Sequence, residues 1–279
     1  MIGYIDVGGG LRAVYGTGVL DFCLDNGIYF PYLIGVSAGS GNIASYMAHQ
    51  KGRSLKFYTE FAFRREYMSF RNFRQNGSYI DLDYIYSGLS NENGEAPLDF
   101  QTMDENPAQF TVVSTNAQNG KAEYFTKKDF GKDDFDVFKT SCCIPIINKA
   151  YELRGSKYYD GGLSDPIPFR KAFEDGCDKV VVCLTRPLEY RKRHRVPQKI
   201  FDRVMREYPE IAETLFTSVD KYNEDIEQIK RLQDEGKVLI IAPRSCMGVD
   251  TLSRKRKNMQ ELYKLGYKDA EKILKFLDD

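Results

Sequence analysis

Five residues near the start of the chain have the spacing of a serine nucleophile on a sharp turn. Residues 35–39 read Gly-Val-Ser-Ala-Gly and stand between an apolar run and a stretch with helical character. The G-x-S-x-G pattern is typical of a strand-to-helix turn with serine at its tip, because small neighbours avoid clashes with the adjoining strand and helix. The helix N-terminus favours negative charge on an attacked oxygen. Gly35, Ser37 and Gly39 therefore predict an acyl hydrolase with Ser37 as its nucleophile.

Acyl transfer also needs hydrogen-bond donors for the oxyanion that forms on the substrate. Gly8, Gly9 and Gly10 directly follow the first predicted strand, so their backbone N–H groups can converge near the serine. Removing one such donor typically costs on the order of a hundred-fold in rate. Arg12 stands two residues later and adds positive charge. We therefore expect these four residues to form an oxyanion hole.

The general base is the harder assignment, because the chain has only two histidines. His49 follows Ser37 on the same predicted helix, roughly 18 Å away at ~1.5 Å per residue, and cannot reach it. His194 lies in the basic run 191–195, which we expect on a solvated loop. Its cationic neighbours oppose imidazolium formation, although its place in the chain fits the Ser…Asp…His order of α/β-hydrolases.

An aspartate that acts directly on the serine is the alternative base. Asp160 ends a short extended segment, and the following Gly161 and Gly162 permit a tight turn and a close approach. The D-G-G sequence alone is weak evidence, but it gains weight beside the glycine run and the serine turn. Asp165 is another carboxylate nearby, and we expect it to be structural.

The chain alternates strand-like and helix-like segments, which is typical of an α/β fold. Continuous apolar runs predict strands that are buried on both faces of a parallel sheet. The first fifty residues predict two parallel strands joined by a helix with a right-handed crossover. The predicted strands are 2–7, 32–36, 110–114, 122–125, 179–184 and 238–242; the predicted helices are 15–26 and 38–49, with amphipathic surface helices in 197–234 and 255–278.

Charge and composition exclude several classes of protein. The 279 residues include 40 basic and 40 acidic side chains, a formal net charge of +0, which argues against a nucleic-acid binder. No window approaches ~18 consecutive apolar residues, so no transmembrane helix is predicted, and the first residues lack the layout of a signal peptide. The six cysteines lack the spacing of a metal site, and we interpret them as thiols in a reducing compartment. We expect a cytoplasmic protein that needs no cofactor and no metal ion.

Residues 57–86 contain ten aromatic side chains and four arginines. One interpretation is a set of helices whose rings pack on the sheet as part of the core. The other is a cap over an apolar groove that binds an acyl chain. The two interpretations are compatible.

The motifs together resemble those of the patatin-like phospholipases. The glycines at 8–10 with Arg12 are similar to the GGGxR motif of that family, and the serine turn and the D-G-G sequence follow in the same order. The segment 141–145, Ser-Cys-Cys-Ile-Pro, resembles the family's small-residue and proline segment before D-G-G. The resemblance covers about residues 1–187 and is closest to the bacterial branch.

This resemblance implies a three-layer α/β/α sandwich with a mostly parallel central sheet. It also implies a Ser–Asp dyad without histidine that hydrolyses fatty-acyl esters of phospholipids or neutral lipids. Carried over by motif, Ser37 is the nucleophile and Asp160 is the base. The implied oxyanion hole consists of Gly8, Gly9, Gly10 and Arg12. We expect one domain over residues 1–279, with a helix-rich part at 197–279 that the resemblance does not cover.

Two positions depart from the family pattern. Val7 precedes the glycines where the family usually has an acidic residue, and Asp6 stands one residue earlier. Ala13 follows Arg12 where the family favours glycine. Neither departure removes a predicted catalytic group.

Two other functions fit parts of the sequence. Gly8, Gly10 and Ala13 satisfy the dinucleotide-binding pattern G-x-G-x-x-A, but that function needs an acidic residue at the end of the second strand to bind ribose. The other alternative is a non-catalytic lipid or protein interaction module, in which the run 191–195 docks on anionic headgroups at roughly 1 kcal/mol per cation. We expect a lipid or acyl-ester substrate and leave peripheral membrane contact open. The sequence does not predict an oligomeric state.

Overall fold

Within residues 1–252 and 254–278, which the computed structural model describes, eight strands form one sheet. Ser253 and Asp279, both in the predicted C-terminal part, lie outside the described residues. The strands are β1 (Ile2–Asp6), β2 (Tyr32–Val36), β3 (Gln109–Asn116), β4 (Ala122–Thr126), β5 (Tyr151–Leu153), β6 (Ser156–Asp160), β7 (Lys179–Cys183) and β8 (Val238–Ile241).

Helices surround this sheet and connect most of its strands. They are α1 (Val14–Asp25), α2 (Ala38–Met47), α3 (Arg53–Thr59), α4 (Phe70–Asn76), α5 (Phe100–Glu105), α6 (Asp136–Ser141), α7 (Phe169–Glu174), α8 (Gln198–Val204), α9 (Pro209–Asp234), α10 (Arg256–Asp269) and α11 (Glu271–Asp278). No helix in the described part of the chain is long and apolar enough to span a bilayer.

Each predicted strand is confirmed, with ends that differ by two residues at most. β6 corresponds to the short extended segment predicted to end at Asp160, and β5 is additional. The predicted helical regions 197–234 and 255–278 each contain two helices.

The sheet is parallel through its centre and antiparallel at one side. The strand order is β5-β6-β3-β2-β1-β7-β8, with β4 also paired to β3. The pairs β1–β2, β1–β7, β2–β3 and β7–β8 are parallel, whereas β3–β4, β3–β6 and β5–β6 are antiparallel. β4 is the exception to the prediction of strands buried on both faces, because most of it is half-buried.

The sheet separates two apolar cores, so that the molecule has three layers. Along β1, Tyr4 contributes to the core beneath α1, α2 and α10, and Ile5 contributes to the core beneath α7 and α9. The alternation follows from the two-residue period of a strand. A strand covered on both faces needs apolar side chains at every position, which explains the run Val180–Val182, all fully buried. The predicted α/β/α class is confirmed.

The ends of β2 and β6 meet along one edge of β3. β2 pairs with β3 as far as Val36 opposite Val113, and β6 takes over at the next position, with Asp160 opposite Ser114. β4 pairs with the same residues of β3 from the other edge, so β2 and β6 share one edge. Because β6 runs antiparallel to β3, its last residue faces the carboxyl end of β2. This register brings Asp160 beside Ser37.

The C-terminal part of the chain joins the same sheet and packs on the first helix. β8 pairs with β7, and α10 lies along α1. The two helices approach closely at Gly18 and Gly266, where an added Cβ would lie 2.1 Å from a backbone oxygen of the facing helix. The one-domain assignment over residues 1–279 remains a prediction.

Candidate active site

Ser37 lies at the turn between β2 and α2, with φ of 54° and ψ of −136°. Residues with a side chain rarely adopt this backbone region. The flanking glycines permit the turn: a Cβ on Gly35 would lie 2.4 Å from Cα of Ser40, and a Cβ on Gly39 would lie 2.3 Å from the backbone oxygen of Asp6. The predicted sharp strand-to-helix turn is confirmed, and the catalytic role of Ser37 stays a prediction.

The buried side chain of Ser141 fixes the turn through hydrogen bonds. The Ser37 N–H donates to Oγ of Ser141 at 2.9 Å, and that hydroxyl donates to the backbone oxygen of Val113 at 2.6 Å. Ser141 belongs to the small-residue segment 141–145. Its hydroxyl therefore links the serine turn to the centre of β3.

Asp160 ends β6 and lies in the same cleft as Ser37. Its Oδ1 accepts a hydrogen bond from the Gly162 N–H at 2.8 Å. Gly161 is required for close packing, because a Cβ there would lie 2.1 Å from the backbone oxygen of Val113. Burial raises the pKa of Asp160 to about 6, although the nearby Ser37 hydroxyl and the hydrogen bond from the Gly162 N–H act in the opposite direction. A carboxylate with this pKa is a stronger base than an ordinary aspartate.

The glycine loop after β1 lies against the serine turn. Gly8, Gly9 and Gly10 have φ of 64°, 114° and 61°, a region that glycine adopts readily. A Cβ on Gly8 would lie 2.2 Å from the backbone oxygen of Val36. The loop therefore passes directly over the end of β2.

Only two of the three predicted glycine donors lack a hydrogen-bond acceptor among the described residues. The Gly8 N–H already donates to Oδ1 of Asp6 at 2.9 Å. No described residue accepts a hydrogen bond from the N–H of Gly9 or Gly10. Burial raises the pKa of Asp6 to about 6, against hydrogen bonds from Asn42 and Gly8. Asp6, which stands one residue before the usual acidic position of the family, thus fixes the start of the loop.

Arg12 lines the cleft but is already engaged with the loop after β8. Its side chain is buried, and Nη1 donates to Asp250 at 2.7 Å and to Thr251 at 2.9 Å. Burial lowers the pKa of the guanidinium, and Arg186 adds to this effect. Arg12 therefore connects the glycine loop to the C-terminal part of the chain.

Ser37 also lines a second, apolar cavity. It is narrow, with a volume of about 70 Å³. Its wall includes five rings of the aromatic segment: Phe57, Tyr58, Phe61, Tyr67 and Tyr86. Most rings of residues 57–86 belong to the core or pack against it, which confirms the core interpretation, whereas a cap over a groove that binds an acyl chain stays a prediction.

The other candidate bases lie elsewhere. His194 is on the surface, paired with Asp220 at 3.0 Å and packed on Phe216. His49 is exposed at the end of α2. Asp165 accepts a hydrogen bond from Tyr124 at 2.7 Å. None of these three candidates lines the cleft that contains Ser37.

Several residues line the cleft that the sequence motifs do not identify, among them Thr185, Arg186 and Lys192. Thr185 and Arg186 follow the carboxyl end of β7, a position where ligand sites concentrate in parallel sheets, and this signal could have revealed them. Lys192 belongs to the basic run 191–195. The expectation that this run is solvated is wrong for Lys192, whose side chain is half-buried at the cleft.

Comparison with known families gives two matches along the chain. A family described as patatin-like phospholipase matches residues 7–173, which is more than half of the chain. A second family, described as a domain of unknown function (DUF6363), matches residues 208–278. The first match contains Ser37, Asp160 and the residues of the predicted oxyanion hole, and the second contains α9, β8, α10 and α11.

Individual relatives are more distant. The uncharacterized protein YjjU of Escherichia coli (strain K12) is 29% identical over 187 residues, which cover 64% of this chain and 50% of YjjU. The chain thus spans about half the length of that relative. The crystal structure of VipD from Legionella pneumophila has a TM-score of 0.48 and 12% identity, over 98% of this chain and 66% of that chain.

Proposed function

The chain belongs to the patatin-like phospholipase family, and we propose that it is a serine acyl hydrolase of lipid metabolism. In this proposal the protein is a carboxylic ester hydrolase that cleaves fatty-acyl esters of phospholipids or other lipids. Ser37 is the nucleophile, Asp160 is the general base, and no histidine takes part.

One observation carries the proposal: the strained serine turn and the end of β6 meet in a single cleft. Ser37 and Asp160 come from strands that adjoin along one edge of β3, and both line the cleft. The Ser37 hydroxyl is close enough to Asp160 to counteract the rise in the pKa of that carboxyl. A nucleophile that lies beside its base is the arrangement that nucleophilic catalysis requires.

The reaction follows from this arrangement. Asp160 accepts the hydroxyl proton while Oγ of Ser37 attacks the ester carbonyl carbon, and the carbonyl electrons move to the oxygen. The tetrahedral intermediate collapses, and the alcohol leaves with the proton from Asp160. Water then attacks the acyl-serine with Asp160 again as the base, which releases the fatty acid and restores Ser37.

The oxyanion is stabilised by the glycine loop. The N–H groups of Gly9 and Gly10 have no acceptor among the described residues, whereas the Gly8 N–H is bonded to Asp6. We therefore assign the donor role to Gly9 and Gly10 and a supporting role to Gly8. Arg12 adds positive charge from behind the loop.

The two cavities beside Ser37 suit the two parts of an acyl ester. Ser37, Gly10, Ile144 and Thr251 line both the apolar cavity and the polar cleft. The fatty-acyl chain occupies the apolar cavity, because burial of methylene groups among rings and aliphatic side chains is favourable. The alcohol occupies the polar cleft.

Hydrolysis of p-nitrophenyl esters of several chain lengths tests the proposal. We expect Ser37→Ala and Asp160→Asn each to lower kcat/KM by about a thousand-fold or more, with unfolding transitions that show an intact fold. Asp165→Asn is the matched control, because it removes a neighbouring carboxylate outside the cleft, and it should retain activity. Full activity of Asp160→Asn would contradict the assignment of Asp160 as the general base.

The two alternative functions predict different results for the same protein samples. A non-catalytic lipid-binding module would bind vesicles but hydrolyse no ester. A nucleotide-binding module needs an acidic residue where β2 ends, but that strand ends at Val36 and continues into Ser37. A thermal shift with NAD would favour this second alternative.

We propose further that the protein is cytoplasmic and contacts membranes at their surface. The helix α4 exposes Phe70 and Phe73, 79% and 47% accessible, beside the exposed cations Arg71 and Arg74. Apolar rings flanked by cations suit an anionic lipid surface. Co-sedimentation with anionic vesicles should fall in the double variant F70S/F73S. Unchanged sedimentation would show that α4 is not the contact.

A further inference from the structure

The cleft next to Ser37 carries more positive charge than the proposed hydrolysis requires. Three cationic side chains line it, those of Arg12, Arg186 and Lys192. The carboxylates that act on these cations include Asp160, which the serine needs, Asp250 and Asp225. The cleft has a volume of about 300 Å³, which is at the lower end of the range for ligand pockets (about 300–1,000 Å³).

The three cations differ in how far they are already paired. Arg12 is bonded to Asp250 at 2.7 Å, whereas Arg186 reaches the same carboxylate only at 3.9 Å. Lys192 has no carboxylate within 4 Å among the described residues, and its Nζ lies 4.8 Å from the centre of the Tyr222 ring. Arg186 and Lys192 therefore retain donors for a ligand.

The surroundings of Lys192 oppose its positive charge. Burial lowers its pKa to about 8, and the charges of Arg186 and Arg12 act in the same direction. Asp160 and Asp225 act in the opposite direction without offsetting the burial. A bound anion would relieve this unfavourable environment, because a partly buried cation is stable when it is paired and hydrogen-bonded.

We propose that Arg186 and Lys192 form a subsite for the phosphate group of the substrate alcohol. The enzyme would then prefer acyl esters of phosphorylated alcohols to neutral esters. This inference rests on the proposed function, since it assigns the alcohol of the ester to the polar cleft. Both residues lie outside the family match at 7–173, so the family assignment says nothing about them.

The chemistry of the pair fits a phosphate. The planar guanidinium of Arg186 can donate two parallel hydrogen bonds to phosphate oxygens, and the ammonium group of Lys192 acts as a point charge. The cleft that holds the subsite and the apolar cavity meet at Ser37, which lines both. A substrate with a fatty-acyl chain at one end and a phosphate at the other would therefore place its ester at Ser37.

The first experiment compares two substrates with the same acyl chain, a 1-acylglycerol 3-phosphate and the matching 1-acylglycerol, both kept below their micelle concentrations. The readout is the ratio of their kcat/KM values. We expect Lys192→Gln and Arg186→Gln each to lower this ratio by about ten-fold or more, as loss of a hydrogen bond to a charged group does. Lys192→Arg, which keeps the charge, should preserve the ratio.

The matched control is Arg193→Gln, since Arg193 is the exposed neighbour of Lys192 in the same basic run. Its ratio should equal that of the wild type. If the ratio falls equally in Arg193→Gln, the effect comes from surface charge and the subsite is wrong. The subsite is also wrong if the ratio is unchanged in both Lys192→Gln and Arg186→Gln.

The second experiment separates binding from turnover and the phosphorylated alcohol from free phosphate. Glycerol 3-phosphate, inorganic phosphate and glycerol are titrated calorimetrically into Ser37→Ala protein. We expect glycerol 3-phosphate to bind more tightly than inorganic phosphate, and adding Lys192→Gln should abolish its binding. Equal affinity for inorganic phosphate would indicate a free-phosphate site and overturn the substrate assignment.

The two proposals fail in different ways. If Ser37→Ala still hydrolyses both esters, the proposed catalytic function is wrong, while loss of glycerol 3-phosphate binding in Lys192→Gln would still support the phosphate subsite. If Ser37→Ala is inactive and no phosphate compound binds, the hydrolase assignment stands and the subsite is wrong.

Discussion

Ser37 is held in a backbone conformation that costs free energy and places this largely buried residue in the wall of the cleft. A residue in such a region typically costs about 1–3 kcal/mol. The surrounding contacts maintain it: the Ser37 N–H is bonded to Ser141, and Gly35 and Gly39 let the neighbouring backbone approach. Strain of this kind orients a nucleophile before substrate arrives.

The pKa of Asp160 gives a prediction at the scale of single residues. Burial raises it to about 6, and only the ionised carboxylate can accept the serine proton. We expect kcat/KM to be constant above about pH 6 and to fall roughly ten-fold per pH unit below it. A pH–rate profile on a neutral ester measures this dependence. A plateau that extends to about pH 4, the range of an ordinary aspartate, would contradict the assignment.

Asp6 requires a control, because its pKa is also raised to about 6. Asp6→Asn removes this titration and keeps an oxygen that can accept the Gly8 N–H. The apparent pKa near 6 should persist in Asp6→Asn. If it disappears there, Asp6 rather than Asp160 governs the profile.

Sequence patterns predict the residues of the serine turn better than those of the cleft wall. The G-x-S-x-G spacing reports a local steric requirement, so the turn at Ser37 follows from neighbouring residues alone. The engagement of the Gly8 N–H by Asp6 depends on side-chain placement, which motif spacing does not report. Lys192 resembles any other lysine in a basic run, and only the fold turns it toward the cleft.

At the scale of elements, strand register assembles the site. β2 stops at Val36, and β6 continues along the same edge of β3 with Asp160. A shift of one residue in either strand would turn the side chains to the opposite face. The meeting of Ser37 and Asp160 is therefore a consequence of sheet register rather than of contact along the chain.

The apolar cavity gives a prediction for chain-length preference. Ile85 lines it and is half-buried, so Ile85→Phe should fill space that a long acyl chain needs. We expect the ratio of kcat/KM for dodecanoyl over butanoyl p-nitrophenyl esters to fall by roughly ten-fold, the scale of small size changes in apolar pockets.

The matched control is Ile200→Phe on α8, where the side chain is 51% exposed. It makes the same change in size outside the cavity and should leave the chain-length ratio unchanged. If Ile85→Phe also leaves the ratio unchanged, the acyl chain does not occupy this cavity.

The central elements follow from sequence, whereas the antiparallel side does not. Buried strands such as β7 are continuous apolar runs that any periodicity test detects. β5 is three residues long and β6 contains Ser156 and Lys157, so neither shows a clear apolar pattern. β6 pairs with β3, which is distant in the chain, and β5 pairs with β6 across a tight turn. Local apolar periodicity reports neither contact.

At the scale of the whole molecule, the C-terminal part supports the N-terminal site. β8 extends the sheet beside β7, and Asp250 and Thr251 bind Arg12 at the glycine loop. The sequence predicts helices in this part, but helical periodicity does not reveal which face packs on α1. We predict that the two parts fold as one unit.

Close packing of α1 and α10 gives a stability prediction for this unit. Gly266→Ala would place its Cβ 2.1 Å from the backbone oxygen of Tyr15, so the two helices would have to separate. We expect the free energy of unfolding to fall by about 1–3 kcal/mol. The measurement is urea denaturation followed by circular dichroism at two wavelengths, one dominated by helices and one by strands.

Gly88→Ala is the control, because the nearest atom to its added Cβ is 3.8 Å away. It should change the free energy of unfolding by less than about 0.5 kcal/mol. A Gly266→Ala protein as stable as the wild type would show that α10 does not pack on α1 as described. Two separate unfolding transitions in the wild type would argue against a single unit.

Covalent labelling with a fluorophosphonate tests most directly whether Ser37 is a nucleophile activated by Asp160. Mass spectrometry of the labelled and digested wild-type protein should find one adduct, on Ser37. Labelling should be absent in Ser37→Ala and greatly slowed in Asp160→Asn. An adduct on a different serine, or equally fast labelling of Asp160→Asn, would contradict the account.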